Sequence, residues 1–182
     1  HTLPLNRIFN GDIKELVEKF ADYEHLLKDV KLICGGPPCQ GFSTVGKKEE
    51  SDPRNSLFNE FVRVISDLKP DFVLFENVSG FKKMYSGRMF DKLCSELEKL
   101  KYEFKYSLLN AREYGLPQSR NRTIIVAYQN KFKFEMPTSE YAEAPNMFQK
   151  KVFRTLKDAI SDLPEIGHGE VAEHYATPPQ ND

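Results

Sequence analysis

The sequence predicts an α/β fold wound around a largely parallel sheet. Three observations carry this. Short apolar runs of strand length alternate with stretches at helical spacing over the first 130 residues. Phe72–Phe75 (Phe-Val-Leu-Phe) is continuously apolar, as a fully buried parallel strand is. The length of 182 residues suits one domain, long enough to bury roughly 70% of its unfolded surface. The resulting order of strand, helix, strand, helix, strand, helix, strand is the doubly wound pattern.

The elements follow in order. Asn6–Asn10 is the first strand candidate. Asp12 reads as a helix N-cap with Glu15 as its capping-box partner, and Ile13, Leu16, Val17 and Phe20 mark the apolar face of that helix. Val30–Cys34 is a strand that stops at Gly35-Gly36-Pro37-Pro38. Leu57, Phe58, Phe61, Val62, Ile65 and Leu68 define a second helix that ends before Pro70. Met89, Phe90, Leu93, Cys94, Leu97 and Leu100 define a third. Tyr106–Leu109 and Thr123–Tyr128 are the last strands. About a dozen residues without a clear helix separate them, so they are expected to run antiparallel. Past Lys133 the periodicity fades among Pro137, Pro145, Pro164, Pro178 and Pro179, and only Thr155–Leu163 looks helical. Residues 1–134 are thus expected to form the α/β domain and 135–182 a connector.

Composition narrows the class. The formal net charge is 26 − 27 = −1, so composition gives no nucleic-acid footprint. No apolar run approaches the ~18 residues of a membrane span. Three cysteines are too few and too odd a number for a disulfide scaffold and point to a reducing compartment.

Ligands of open parallel sheets bind beyond the carboxyl ends of the strands. Gly11-Asp12, the Gly35–Gly41 loop and Glu76-Asn77-Val78 all follow strands. If the last two strands are antiparallel, the loop holding Gln118-Ser119-Arg120-Asn121-Arg122 reaches the same edge, and extended geometry puts Gln118, Arg120 and Arg122 on one face. Cys39, behind two prolines, sits in a stiff loop suited to presenting a thiolate, and position alone also allows an incidental cysteine. Glu76 closes an apolar strand, so burial should raise its pKa toward acid/base work; a hydrogen-bond anchor is the equal alternative. Arg120 and Arg122 could equally be surface residues, and Asp12 a plain cap. Cys34 and Cys94 are assigned to the core, and no Cys/His cluster supports zinc. Lys47, Lys48, Lys82, Lys83 and Arg88 either meet phosphates or are simply solvated.

Taken together, these segments resemble the cytosine-C5 DNA methyltransferases. Gly-Gly-Pro-Pro-Cys39-Gln-Gly-Phe-Ser looks like that family's catalytic Pro-Cys loop, Glu76-Asn77-Val78 like its Glu-Asn-Val motif and Gln118-x-Arg120-x-Arg122 like its Gln-x-Arg-x-Arg motif. Gly11-Asp12-Ile13 resembles the segment that contacts the adenine of S-adenosylmethionine. Asp52-Pro53-Arg54-Asn55-Ser56-Leu57-Phe58 resembles the next motif, whose leucine packs near the cofactor. Five motifs in order over residues 11–128 make a specific signal.

The resemblance implies a Rossmann-like, S-adenosylmethionine-dependent methyltransferase sheet, mostly parallel with an antiparallel final strand, and a bacterial-type restriction-modification activity on cytosine C5. It implies catalytic Cys39, Glu76, Arg120 and Arg122. It implies cofactor contacts at Asp12, Ile13, Pro37 and Leu57, and substrate contacts at Pro38, Gln40, Ser43, Asn77 and Gln118, with Asn77 orienting the loop. The expected partner is double-stranded DNA, with no metal and no membrane, for a cytoplasmic or nucleoid-associated monomer. One branch of the family acts on transfer RNA, and an inactive binding module is the rival of another class. The family's Phe-x-Gly-x-Gly turn does not occur here. It is expected upstream of His1 with the first strands, and the target-recognition region beyond Asp182, so the chain reads as an interior slice that is itself inactive.

Overall fold

The computed structural model describes residues 9–38 and 55–172. Asp12 caps α1 (Ile13–Glu18) through Oδ1, which accepts from the Lys14 N–H at 2.9 Å. The bond goes to the second helical residue, so the expected capping box with Glu15 does not form. Phe9 and Asn10 are not strand, and the rest of the first strand candidate lies outside the described residues. A 3₁₀ turn at Phe20–Tyr23 and the short α2 (Glu24–Leu27) lead to β1 (Leu32–Gly35).

Next come α3 (Asn55–Leu68), β2 (Phe72–Val78), a 3₁₀ turn at Phe81–Gly87 and α4 (Arg88–Lys99). β3 (Tyr102–Asn110) and β4 (Asn121–Gln129) flank a further 3₁₀ turn at Ala111–Tyr114. The strands order β1-β2-β4-β3. β1 and β2 are parallel, and β4 is antiparallel to β2, with Val78 opposite Arg122 and Phe72 opposite Tyr128. The final strand therefore enters the sheet between β2 and β3, starting at the edge where β1 and β2 end.

One face of the sheet carries the core. Val73 and Phe75 of β2 and Ile125 and Ala127 of β4 alternate onto it, as period-two geometry requires. Phe58, Phe61 and Ile65 of α3 and Phe90, Leu93, Cys94 and Leu97 of α4 cover it, with Phe81 between. These are the apolar positions that helical spacing predicts. Phe58 and Ile65 are fully buried, and each contributes about 1.5–3 kcal/mol. Gly35 lets β1 approach α3, since a Cβ there would lie 2.3 Å from a Phe61 ring carbon.

The opposite face is covered in part by the segment after β4. Phe132 packs on Phe72 and Phe134 on Tyr128, but Leu32 remains 53% and Val78 42% exposed. Cys34 shares this face and is exposed, which corrects its assignment to the core. Ile33 and Gly35 face the helices, so alternation turns Cys34 away from them. Cys94 is buried as expected, and burial pushes its thiol up to about 11.

The chain divides into two compact units. The first runs to Leu108 and adds Arg122–Met136, and so contains most of the sheet and both long helices. The second comprises Leu109–Asn121 and the residues from Pro137 on. Within it, β5 (Tyr141–Ala142) and β6 (Lys151–Val152) form a short parallel ribbon. Thr155 and Asp158 close a capping box at α5 (Leu156–Ile160), which is shorter than the predicted 155–163 helix and buries no residue.

Candidate active site

The carboxyl edge of the sheet in the first unit is built from three chain segments. β1 ends at Gly35 and continues as Gly36-Pro37-Pro38. β2 ends with Glu76-Asn77-Val78 inside the strand, three residues longer than the apolar run predicts. β4 begins with Asn121-Arg122-Thr123.

Glu76 and Arg122 form an ion pair, with Arg122 Nε 2.6 Å from Glu76 Oε1. The register explains it: Glu76 lies opposite Ile124, so Arg122 is its diagonal neighbour on the same face. The glutamate side chain keeps 45% exposure and the arginine 26%. The desolvated carboxylate expected from the apolar strand is therefore not what the fold builds; it places an accessible, cation-paired one. The second carboxylate oxygen lies close to Gly36, where an added Cβ would be 3.0 Å from it. A side chain at position 36 would crowd the carboxylate, a reason for glycine that the Gly-Gly dipeptide only hints at.

Asn77 points the other way and is buried. Its Nδ2 donates to the Pro37 carbonyl at 3.1 Å, and its Oδ1 accepts from the Val78 N–H at 2.9 Å. The carboxamide thus ties the segment after β1 to the end of β2. Thr123, also buried and opposite Asn77, donates from Oγ1 to the Val78 carbonyl at 3.1 Å. Pro37 is half-buried and Pro38 exposed. Cys39, Gln40, Ser43 and Asp52-Pro53-Arg54 lie outside the described residues; Cys39 directly follows Pro38 in the chain.

Other predicted residues are placed differently. Ile13 and Leu57 are half-buried on α1 and α3, helices that pack against each other. Asp12 is exposed with one carboxylate oxygen engaged by its cap. Gln118 and Arg120 belong to the second unit and are exposed. Gln118 occupies a bend, so strand alternation does not carry from Arg122 back to it. Lys82 is not simply solvated: its Nζ donates to the Tyr106 hydroxyl at 2.5 Å and lies 4.4 Å from that ring's centroid. Among the described residues no cluster suits a metal ion, and no helix is long and apolar enough to cross a membrane.

The fold, an α/β sheet whose final strand runs antiparallel, is shared with a solved methyltransferase. A protein of an E. coli prophage described as a DNA modification methyltransferase shares the fold with a TM-score of 0.65 at 28% identity, over 86% of this chain and 42% of its own. The model of the C-5 cytosine-specific DNA methylase family matches residues 4–177, and the chain belongs to that family. The type II methyltransferase M.DdeI of Desulfomicrobium norvegicum is 37% identical over 167 residues, 88% of this chain and 39% of the relative. The type II methyltransferase M.AquIA of Picosynechococcus sp. is 35% identical over 182 residues, 89% of this chain and 73% of the relative. The chain spans about two-fifths of the length of the first of these relatives.

Proposed function

We propose that the protein methylates C5 of cytosine in duplex DNA through a covalent enzyme–base adduct. The observation that carries this reading is the Glu76–Arg122 pair at the carboxyl edge, joined to the Pro37-Pro38 segment through Asn77. Family membership and the type II relatives support it.

Cytosine C5 is a poor nucleophile while the ring is aromatic. Addition of the Cys39 thiolate to C6 breaks the 5,6 double bond and delivers electron density to C5, which divides one hard step into two easier ones. Glu76 bonds N3 and the exocyclic amine and accommodates the charge that builds there. Arg122 fixes the glutamate from the neighbouring strand, and likeness to the family's Gln-x-Arg-x-Arg motif assigns Gln118 and Arg120 to the same reaction. Pro38, Gln40, Ser43 and Asn77 hold and shape the segment around the nucleophile. C5 takes the methyl group as the donor's S–C bond breaks with its pair left on that sulfur; loss of the C5 proton to solvent water then lets the C–H electron pair re-form the 5,6 double bond and expel the Cys39 thiolate. A base inside the duplex stack cannot meet these groups, so it must be flipped out.

S-adenosylmethionine, the methyl donor of this reading, supplies an electrophilic methyl group. The chain fits one part of it. Ile13 and Leu57 offer half-buried apolar contacts from two packed helices and Asp12 an exposed carboxylate for the adenine amine, and the family resemblance assigns Pro37 to the same part. A glycine-rich cradle for the methionine portion is not in the 182 residues.

Transfer of labelled methyl groups to duplex DNA and to transfer RNA tests the reading. Incorporation into DNA as 5-methylcytosine is expected; transfer to RNA alone would overturn the DNA assignment.

A further inference from the structure

The loop that carries the Gln118-x-Arg120 segment is closed by a residue none of the motifs includes. Asn110 is the last residue of β3. Its Oδ1 accepts from the Arg112 N–H at 3.3 Å and from the Arg120 N–H at 3.2 Å, and its Nδ2 donates to Ser119 Oγ at 3.3 Å. One carboxamide thus bonds both ends of a ten-residue loop, and the Ala111 N–H to Arg120 carbonyl bond at 3.0 Å runs beside it. The loop is also held from outside. Gly115 turns at φ 90° directly beneath the Tyr141 ring, which a Cβ would meet at 2.9 Å. The Glu140 N–H donates to the Glu113 carbonyl, Tyr114 donates to the Pro137 carbonyl, and the Arg112 guanidinium stacks on Phe153 at 3.8 Å.

These contacts divide the work. The outer ones seat the 111–115 turn, and Asn110, beside the Ala111–Arg120 backbone bond, reaches across to Ser119 and Arg120. Arg120 immediately precedes Asn121, where β4 begins, and stands two residues before Arg122. Asparagine suits this place, since its planar carboxamide accepts on one side and donates on the other. Alanine keeps the backbone bond at Ala111 but frees two amides and a hydroxyl at the loop's end.

We propose that Asn110 is a positioning residue for methyl transfer, fixing the backbone from which Arg120 acts and leading the chain into β4 ahead of Arg122. The proposal rests on the function argued above. Its test is made in the full-length protein with Asn110→Ala and Asn110→Asp, the second keeping both acceptor bonds. Steady-state methylation of duplex DNA and amide hydrogen exchange of the 110–121 peptide are read together. Asn110→Ala should lower kcat about tenfold to a hundredfold, the scale of a small misplacement of reacting groups. KM for S-adenosylmethionine should stay within about twofold, because the cofactor contacts lie on other segments. Asn110→Asp should recover kcat to within about fivefold. Exchange at Arg112 and Arg120 should accelerate in the alanine variant alone. Unchanged exchange or an unchanged kcat in Asn110→Ala overturns the proposal, as does no recovery with aspartate. A wild-type protein that leaves cytosine unmethylated overturns the functional reading instead. The exchange difference is then still read, and it reports the clamp independently of turnover.

Discussion

Glu76 is paired with Arg122 of the neighbouring strand, and that cation can be removed by itself. Arg122→Ala leaves Oε1 without its cation, and kcat/KM for DNA methylation should fall by ~10²–10⁴ if the pair orients an acid/base group. Stability should hardly change, because a partly exposed ion pair contributes only ~0–1 kcal/mol. A melting curve beside the kinetics checks both halves; a large loss of stability with little loss of rate would make the pair structural. The cysteines give a second residue-scale prediction. An alkylating reagent at pH 8 should modify exposed Cys34 readily and spare Cys94, whose thiol is buried and pushed up to about 11. Mass spectrometry of the 29–34 and 93–99 segments reads the difference. The glutamate, the asparagine and the arginine were legible as motif members. Their diagonal pairing was not, because an i, i+2 spacing says nothing about which strand lies alongside. The 45% exposure of the Glu76 side chain escapes the sequence for the same reason: an apolar run describes the strand's own residues and not what covers its end.

At the scale of elements, β1 and α3 meet closely at Gly35 and Phe61. Gly35→Ala forces a methyl against the Phe61 ring and should cost about 1–3 kcal/mol in denaturant unfolding, as overpacking does. At the other end of β2, Asp71 accepts from Lys131 at 2.8 Å and stands 3.8 Å from Lys31. It thereby links the segments flanking β1 and β4 to the start of β2. The Lys131 hydrogen bond holds its carboxyl below the ordinary range. A depressed folded-state value stabilises the fold above the ordinary aspartate value of about 3.9, and that contribution disappears as pH falls through the depressed value. Asp71→Asn should therefore flatten the acid limb of the stability–pH curve and leave its neutral region with a constant offset. Helical spacing located α3 and α4 closely because their buried faces repeat over several turns. It missed the Phe81–Gly87 and Ala111–Tyr114 turns, which are too short to show a period. The Asn110 cap beside the second of these carried a usable signal, an asparagine ahead of a polar turn.

For the molecule as a whole, what sequence could not supply was strand order. The antiparallel final strand was expected, but its place between β2 and β3 is a non-local property, and it brings Arg122 beside Glu76. The exposure of Leu32, Cys34 and Val78 among the described residues is equally invisible to periodicity. The cofactor reading belongs at this scale too. With no Phe-x-Gly-x-Gly turn among them, these 182 residues should bind S-adenosylmethionine weakly, and tight calorimetric binding would contradict that expectation. The most direct test of the central claim is covalent capture on duplex DNA carrying 5-fluorocytosine, whose C5 substituent cannot leave as a proton. The full-length protein should form a denaturation-resistant complex in the presence of S-adenosylmethionine, and Cys39→Ser should form none. Capture that persists in Cys39→Ser would place the nucleophile elsewhere and contradict the account.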